Sequence, residues 1–203
     1  MIPVPPVVAV AHVPFYSQFS DIAAVEWKKK GCGVVSLAMV IDYYSTEPVS
    51  VNKLLTQAIA SGAYSSAGWT HQGLITLSTK YGMKGKAYDL SKSSKSAAFT
   101  SFKSYLKDGP VIVSVHYKFD PKSTIPHLVV IDGIDKDFVY YNDPAATGGE
   151  KKIPVATFLK AWKQRFIVIR PVEAPKVAEV QPEQQSLAFF ASFFEWFGRG
   201  KIG

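Results

Sequence analysis

The only cysteine in this chain lies in a setting that favours chemistry. Cys32 stands between Gly31 and Gly33, at the start of an apolar run over residues 34–44. Hydrophobic positions spaced by three and four predict a helix buried on most of its circumference, with the thiol on its first turn. Unpaired N–H groups and the positive end of the helix dipole favour a thiolate there, and the glycines allow close approach. The pattern therefore predicts a nucleophile, against the alternative of a cysteine that only packs.

Such a nucleophile needs a base and a group that orients the base. His127 begins one predicted strand, and Asp143 follows the next strand, sixteen residues later. We expect a hairpin in which Ile134 opposes Phe138. With that register, Asp143 faces Val129 and lies diagonal to His127 on the same face of the sheet. A loop of even length would instead put the two side chains on opposite faces.

The chain contains three other histidines, His12, His71 and His116. His116 is the main competitor for the role of base, because it also lies on a predicted strand. No acidic residue occupies a comparable hairpin position beside it. His127 is therefore the expected partner of the thiol, with Asp143 holding the second imidazole nitrogen.

Attack on an acyl carbon also requires hydrogen-bond donors for the oxyanion that forms. The backbone N–H of Cys32, at the start of its helix, is one candidate. The side-chain amide of Gln18, in the preceding polar loop, is the second.

Aromatic side chains near the cysteine are candidates for the walls of a binding cleft. Trp69 stands in a glycine-containing turn, and Trp27 and Tyr64 lie near it in the sequence. Large rings in such loops can cover a groove or simply pack in the core.

The elements that must position these residues are helices first and strands afterwards. Ser50, Thr70 and Ser94 are expected to cap helices that begin at residues 51, 71 and 95, and Gly82 is expected to end the second of these. Strands are predicted at residues 10–16, 83–90, 111–117, 127–133, 138–142 and 165–170, with a short helix at 155–163. This order predicts an α+β fold in which an N-terminal helical part, with the nucleophile helix, packs on a C-terminal antiparallel sheet.

Composition limits the classes of function. With 203 residues, of which 47% are hydrophobic, the chain can form one good core. Its net charge of +7 is dispersed, which argues against nucleic-acid binding. The sequence has no glycine-rich phosphate loop and no clustered His/Cys spacing, so we expect neither a cofactor nor a metal. Nothing in it implies an oligomer.

The chain divides into four segments. We expect an extended lead-in at residues 1–8, one compact domain at 9–171, a flexible linker at 172–185 and a helical tail at 186–203. The N-terminus lacks the charged region of a signal peptide, and no segment is suited to span a bilayer. The native compartment stays open: the chain as given is expected in the cytoplasm, or outside the cell if its N-terminus was trimmed.

The tail carries an aromatic stripe. Its rings recur at spacings of one, three and four and are Phe189, Phe190, Phe193, Phe194 and Phe197. A helix of about 12 residues is too short to cross a bilayer of about 30 Å. Three fates remain open for the stripe: docking on the domain, peripheral contact with a membrane, or binding a partner.

Four motifs, in this order, resemble a known family. They are residues 13–18 (VPFYSQ), residues 31–40 (GCGVVSLAMV), residues 127–133 (HLVVIDG) and residues 141–144 (YNDP). Over roughly residues 12–170 the chain resembles the bacteriocin-processing, papain-like cysteine peptidases of family thirty-nine and their stand-alone relatives. The resemblance implies a papain-like fold and a catalytic domain at 9–171. The implied nucleophile, general base, orienting acid and oxyanion-hole donor are Cys32, His127, Asp143 and Gln18.

We therefore expect a bacterial thiol hydrolase that cleaves a peptide or another amide bond through a covalent acyl-enzyme, with a peptide or protein as substrate. An acyltransferase that uses an amine in place of water is an alternative within this chemistry. A module that binds a peptide without cutting it is the alternative from another class. The complete set of Cys, His and Asp favours the enzyme.

Overall fold

The computed structural model describes residues 10–173. Its helices are α1 (Val25–Lys28), α2 (Cys32–Tyr44), α3 (Val51–Ala60), α4 (His71–Ser78), α5 (Lys95–Leu106) and α6 (Val155–Ala161). Its strands are β1 (Tyr64–Ser65), β2 (Gly68–Trp69), β3 (Met83–Asp89), β4 (Val111–His116), β5 (Pro126–Ile134), β6 (Phe138–Asn142), β7 (Lys151–Pro154) and β8 (Trp162–Pro171). Short 3-10 helices follow α4 and β4, at Thr79–Tyr81 and Tyr117–Phe119.

Six strands form one antiparallel sheet in the order β3-β8-β4-β5-β6-β7, and β1 and β2 form a separate small hairpin. The central strand β4 and most of β5 are buried on both faces. Helices α2, α3 and α4 share a core with one face of the sheet, and α5 and α6 share a second core with the other face. The predicted α+β architecture, with the nucleophile helix packed on an antiparallel sheet, is confirmed.

The two cores differ in composition. The core under α2 is mainly aliphatic, and its buried members include Leu37, Val40, Leu54, Leu74, Val130 and Ile167. The core under α5 and α6 is rich in rings, and Phe102, Phe158, Trp162 and Phe166 lie with neighbouring centroids 5.2–6.4 Å apart. Helix α2 is buried on all sides from Gly33 to Ile41, as its apolar run predicts.

The helix ends follow the sequence closely. Ser50, Thr70 and Ser94 each accept a hydrogen bond at 3.1–3.3 Å from the backbone N–H three residues later. Gly82 takes the left-handed conformation, with φ of 70°, directly after the 3-10 turn that extends α4. These predictions are confirmed because each depends on contacts within one turn of chain.

The strand predicted at residues 10–16 is wrong, since this segment forms no strand. It touches the sheet through one backbone hydrogen bond, from the N–H of Ala11 to the carbonyl of Asp132 at 2.9 Å. The N–H of Val13 then turns back to the carbonyl of Ala11, and Pro14 has no N–H to donate to a ladder. Helix α1, strand β7 and the hairpin of β1 and β2 were not predicted, and all are four residues long or shorter.

The lead-in at residues 1–8, the tail at 186–203 and most of the linker at 172–185 lie outside the described residues. The predictions for these segments stay predictions. Within residues 10–173, no helix combines the length and the apolar composition needed to cross a bilayer.

Candidate active site

Cys32 is the first residue of α2 and is partly exposed, whereas the residues after it are buried. From the sequence, the flanking glycines were expected to let another chain approach the thiol, but the groups that fill the space beside them are side chains of this chain. A Cβ atom on Gly31 would lie 2.2 Å from Cδ1 of Ile22, and one on Gly33 would lie 2.4 Å from Cγ of Trp69. The thiol is therefore held at a helix start that Ile22 and Trp69 pack against.

A hydrogen bond fixes this helix start against β5. The hydroxyl of Ser36, one turn after Cys32, donates to the carbonyl of Leu128 at 3.3 Å in a buried setting. Leu128 follows His127 on β5, so the bond holds the first turn of α2 beside the backbone of His127. The side chains of Cys32 and His127 line the same cleft, and Cys32 is one of the groups that raise the pKa of His127.

His127 also binds Asp143. Nε2 of His127 lies 2.6 Å from Oδ1 of Asp143, and the two side chains are 3% and 13% exposed. Because a carboxylate only accepts, Nε2 carries the proton and Nδ1 is left for the thiol. The same Oδ1 atom accepts a hydrogen bond from the N–H of Ala145 at 2.8 Å, which fixes the carboxylate in its turn.

These contacts decide the charge of the imidazole. Burial lowers the pKa of His127, but the hydrogen bonds to Asp143 and Cys32 and the charges of both partners outweigh burial and raise the pKa to about 9. The imidazole is therefore protonated at neutral pH.

The hairpin of β5 and β6 sets Asp143 relative to His127. At the turn its register differs from the prediction: Ile134 opposes Val139 and not Phe138. The loop therefore has an even number of residues. By itself, this loop would put the two side chains on opposite faces of the sheet.

A β-bulge at Asp132 restores the register before the strands reach the site. The bulge adds one residue to β5, so that Val130 opposes Asn142. Continued by one residue, this pairing puts Asp143 diagonal to His127. The predicted juxtaposition is thus present, although the predicted turn is wrong.

The bulge also buries a carboxyl group. Asp132 is 4% exposed, and its Oδ2 atom accepts a hydrogen bond from Nδ2 of Asn142 at 2.8 Å. Its Oδ1 atom has no hydrogen-bond partner among residues 10–173. Burial raises the pKa of Asp132 to about 7.

Gln18 lies between the start of α2 and the turn that carries Asp143. Its N–H donates to the carbonyl of Pro144 at 2.8 Å, and its Cβ atom faces Gly31. The hydroxyl of Ser17 donates to the carbonyl of Ala146 at 2.8 Å and strengthens the same link. The structure thus brings Gln18 to the place where the other predicted residues meet. The catalytic roles of all four stay predictions.

Tyr117 is a residue of this site that the sequence did not reveal. Its ring meets the His127 ring edge-on, with centroids 5.2 Å apart and planes at 90°. The next two residues, Lys118 and Phe119, have φ angles of 57° and 55°, so a tight left-handed turn sets the position of Tyr117. In the sequence Tyr117 was only the end of a predicted strand, and no local signal marks it.

Cys32 and His127 open onto a cleft of about 620 Å³. Tyr64 and Trp69 line it, and Trp27 packs against both rings, with centroids 5.1 and 5.9 Å away. The three aromatic residues predicted as cleft walls are therefore together, with Trp27 behind the other two.

The remaining histidines have other partners. His71 lies in the same cleft, with Nε2 2.9 Å from the Ser114 hydroxyl. His116 binds the Ser123 carbonyl at 2.7 Å. His12 is exposed. Within the described part of the chain, no group of three or more His, Cys, Asp or Glu side chains is arranged to hold a metal ion.

The family profile that matches this chain covers residues 10–166 and is that of the Peptidase C39-like family. The chain belongs to this family. None of the curated proteins compared with it matches. The family predicted from the four motifs is confirmed.

Solved structures of C39 peptidases share the fold. A double glycine motif protease from an AMS/PCAT transporter, solved in complex with the leader peptide, is 24% identical, covers 80% of this chain and 94% of its own, and has a TM-score of 0.56. A putative C39-like peptidase from Bacillus anthracis is 23% identical, covers 84% of this chain and 100% of its own, and also has a TM-score of 0.56. The peptidase domain of Streptococcus ComA is 19% identical, covers 70% of this chain and 93% of its own, and has a TM-score of 0.53. The papain-like fold is therefore confirmed.

Proposed function

We propose that this C39-like chain is a thiol hydrolase that cleaves a peptide or another amide bond through a covalent acyl-enzyme, and that residues 9–171 form its catalytic domain. The observation that carries the proposal is the position of His127. It is hydrogen-bonded to Asp143 at 2.6 Å, and together with Cys32 it lines a cleft of about 620 Å³. A residue set that only bound peptides would not need this alignment.

In the first step, the Cys32 thiolate attacks the carbonyl carbon of the scissile amide and an S–C bond forms. Negative charge passes to the carbonyl oxygen. The backbone N–H of Cys32 and the side-chain amide of Gln18 act as donors to this oxyanion. Gln18 is suited to the role because it is 4% exposed and packs beside Gly31, so its position is well defined.

In the second step, the protonated His127 gives its proton to the leaving amine as the C–N bond breaks. The acyl group stays on Cys32 as a thioester. Neutral His127 then removes a proton from water, and the hydroxide adds to the thioester. Collapse of that intermediate expels the thiolate, releases the acid and leaves His127 protonated, which restores the starting pair.

A peptide is the substrate class that fits best. The cleft of about 620 Å³ has an aromatic wall and lies open beside the thiol. The AMS/PCAT protease of similar fold was solved with a leader peptide. Asp143 keeps the imidazole oriented while a peptide occupies this cleft.

The decisive experiment is incubation of the wild-type chain and Cys32→Ala with a mixed peptide library, followed by mass spectrometry. We expect cleavage products from the wild type only, and a thioester adduct on Cys32 when turnover is quenched early with acid. Added glycinamide separates hydrolysis from acyl transfer, because transfer yields products heavier by the amine. Peptides retained by the wild type without cleavage would contradict the proposal and favour the binding module. Equal cleavage by Cys32→Ala would also overturn it.

A further inference from the structure

One row of the sheet forms the floor of the cleft beyond the thiol. Leu128 on β5 is directly opposite Ser114 on β4, Ser114 is opposite Arg165 on β8, and Arg165 is opposite Asp89 on β3. Directly opposed residues in antiparallel strands point to the same face. All four of these residues line the cleft. Beyond Leu128, the polar members of this row therefore lead away from the cysteine across the three neighbouring strands β4, β8 and β3.

The middle of this row is a hydrogen-bonded pair of a buried serine and a partly buried histidine. Ser114 is 9% exposed, and its hydroxyl lies 2.9 Å from Nε2 of His71, the first residue of α4. Burial lowers the pKa of His71, and the nearby Arg165 lowers it further, so the imidazole is neutral. The pair supplies hydrogen-bonding capacity inside the cleft without adding charge.

The charge at this end comes from β8. An irregularity in the pairing of β4 with β8 at Ser114 inserts extra residues, and Gln164 there has a φ of 55°. Lys163 and Arg165 both line the cleft. Among residues 10–173, the guanidinium of Arg165 makes one hydrogen bond, from Nε to Asp89 at 2.9 Å. Its two Nη groups are thus available for a second, bidentate partner.

The cleft as a whole is positively charged. Four lysine and arginine side chains line it, whereas only one carboxylate does. The cations are Lys29, Lys30, Lys163 and Arg165, and the carboxylate is Asp89. A substrate with a negative charge is favoured by this field and by the local geometry at Arg165.

We propose that Arg165, Lys163 and the Ser114–His71 pair form a carboxylate-binding subsite that selects peptide substrates with an acidic group. The guanidinium Nη groups bind the carboxylate, Lys163 adds charge, and the Ser114–His71 pair donates a hydrogen bond. The inference rests on the proposed function for its biological meaning, because it names the substrate class of the same cleft.

The sheet gives the distance of the subsite from the scissile bond. Arg165 lies two strands away from β5, which is roughly 10 Å at about 4.8 Å per strand. An extended peptide advances about 3.3 Å per residue, so the acidic group lies about three residues from the cleaved bond.

The test measures binding, so that it is independent of cleavage. Cys32→Ala is mixed with random octapeptides that are acetylated and amidated, and retained peptides are sequenced by mass spectrometry. We expect Asp and Glu to be enriched roughly fivefold or more over Asn and Gln at one position. A second library has no acidic side chains and a free C-terminus. Retention of peptides from this second library identifies the C-terminal carboxylate as the ligand.

Matched variants locate the effect. In the Cys32→Ala background, Lys163→Glu and Arg165→Gln should each remove the enrichment, and Lys160→Glu should retain it. Lys160 is exposed on α6 and does not line the cleft, so it controls for total charge. Both members of the Arg165–Asp89 pair are about half exposed, so Arg165→Gln should keep its melting temperature.

The outcomes separate the two proposals. Cleavage by the wild type without a carboxylate preference overturns the subsite and keeps the hydrolase. A carboxylate preference in binding without cleavage keeps the subsite and overturns the hydrolase. An unchanged preference in Arg165→Gln, or no retained peptide in either library, also overturns the subsite.

Discussion

The two ends of the cleft each hold a histidine, and the two imidazoles differ in charge: the His127 ring is protonated at neutral pH and the His71 ring is neutral. At the thiol end, the pKa of His127 is raised to about 9. At the far end, the pKa of His71 is lowered. Burial pushes both pKa values down, because a charged imidazole loses solvation in each place.

The difference lies in the partners. His127 has the Asp143 carboxylate at 2.6 Å and Cys32 on its other side, whereas His71 has the neutral hydroxyl of Ser114 at 2.9 Å. Arg165 adds a like charge near His71. One fold thus holds a protonated imidazole at one end of the cleft and a neutral imidazole at the other, because the neighbouring groups differ.

The largest effect should come from removing the charged imidazole. We expect His127→Ala to lower the rate of peptide cleavage roughly 10³-fold, because the leaving amine loses its proton donor. Alkylation of Cys32 by iodoacetamide at pH 7 should also slow, because the thiol loses the neighbouring group that takes its proton. His12→Ala, at an exposed histidine outside the cleft, is the matched control. Equal alkylation rates in wild type and His127→Ala would contradict the pairing.

A smaller effect should come from keeping the imidazole and removing only its carboxylate. Asp143→Asn retains an acceptor oxygen but loses the charge, so we expect a roughly 10²-fold fall in cleavage. The pKa of His127 should fall from about 9, because burial is then opposed by fewer favourable contacts. The alkaline limb of the pH profile of kcat/KM should therefore move to lower pH. If the alkaline limb does not move, it reports the titration of a group other than His127.

Proton binding by the two histidines can be compared directly. In an NMR titration of the wild type, His127 should lose its proton near pH 9, and His71 should stay neutral down to a pH below 6.5. Asp143→Asn should bring the two pKa values closer together by lowering that of His127, and it should leave the pKa of His71 unchanged. Identical titration of the two rings would remove the contrast between the ends of the cleft.

The smallest effect concerns Asp132, a carboxyl group whose pKa is also shifted by burial. The pKa of Asp132 is about 7 in the folded chain and near 3.8 in the unfolded chain, so the folded state binds more protons between these values. Stability is therefore lost as pH rises through this range. Asp132→Asn should be close to the wild type at pH 4 and more stable at pH 8, by on the order of 1 to 4 kcal/mol. Denaturant unfolding at both pH values measures this difference in stability. The nearby charges of Glu150 and His12 act on the pKa of Asp132 in opposite directions, Glu150 raising it and His12 lowering it. A pH-independent difference would assign the effect to packing.

The site shows how an error in local prediction can leave the result intact. The turn of the β5–β6 hairpin has an even loop, which the sequence did not indicate. The bulge at Asp132 adds the residue that brings Asp143 back beside His127. No pattern of apolar residues predicts such a bulge, because the hydrophobic run through residues 128–131 is continuous and hides the change of register.

What the sequence determined by itself was what depends on neighbours within a few residues, or on one strong pattern. The caps at Ser50, Thr70 and Ser94, the end of α4 at Gly82, the buried helix after Cys32 and the family motifs belong to this group. What only the tertiary structure decided were contacts between distant segments: the bulge at Asp132, Tyr117 against His127, and the pair of His71 with Ser114, 43 residues apart. Such contacts form when several strands pack together. Their geometry depends on twist, bulges and burial, which no single stretch of chain encodes.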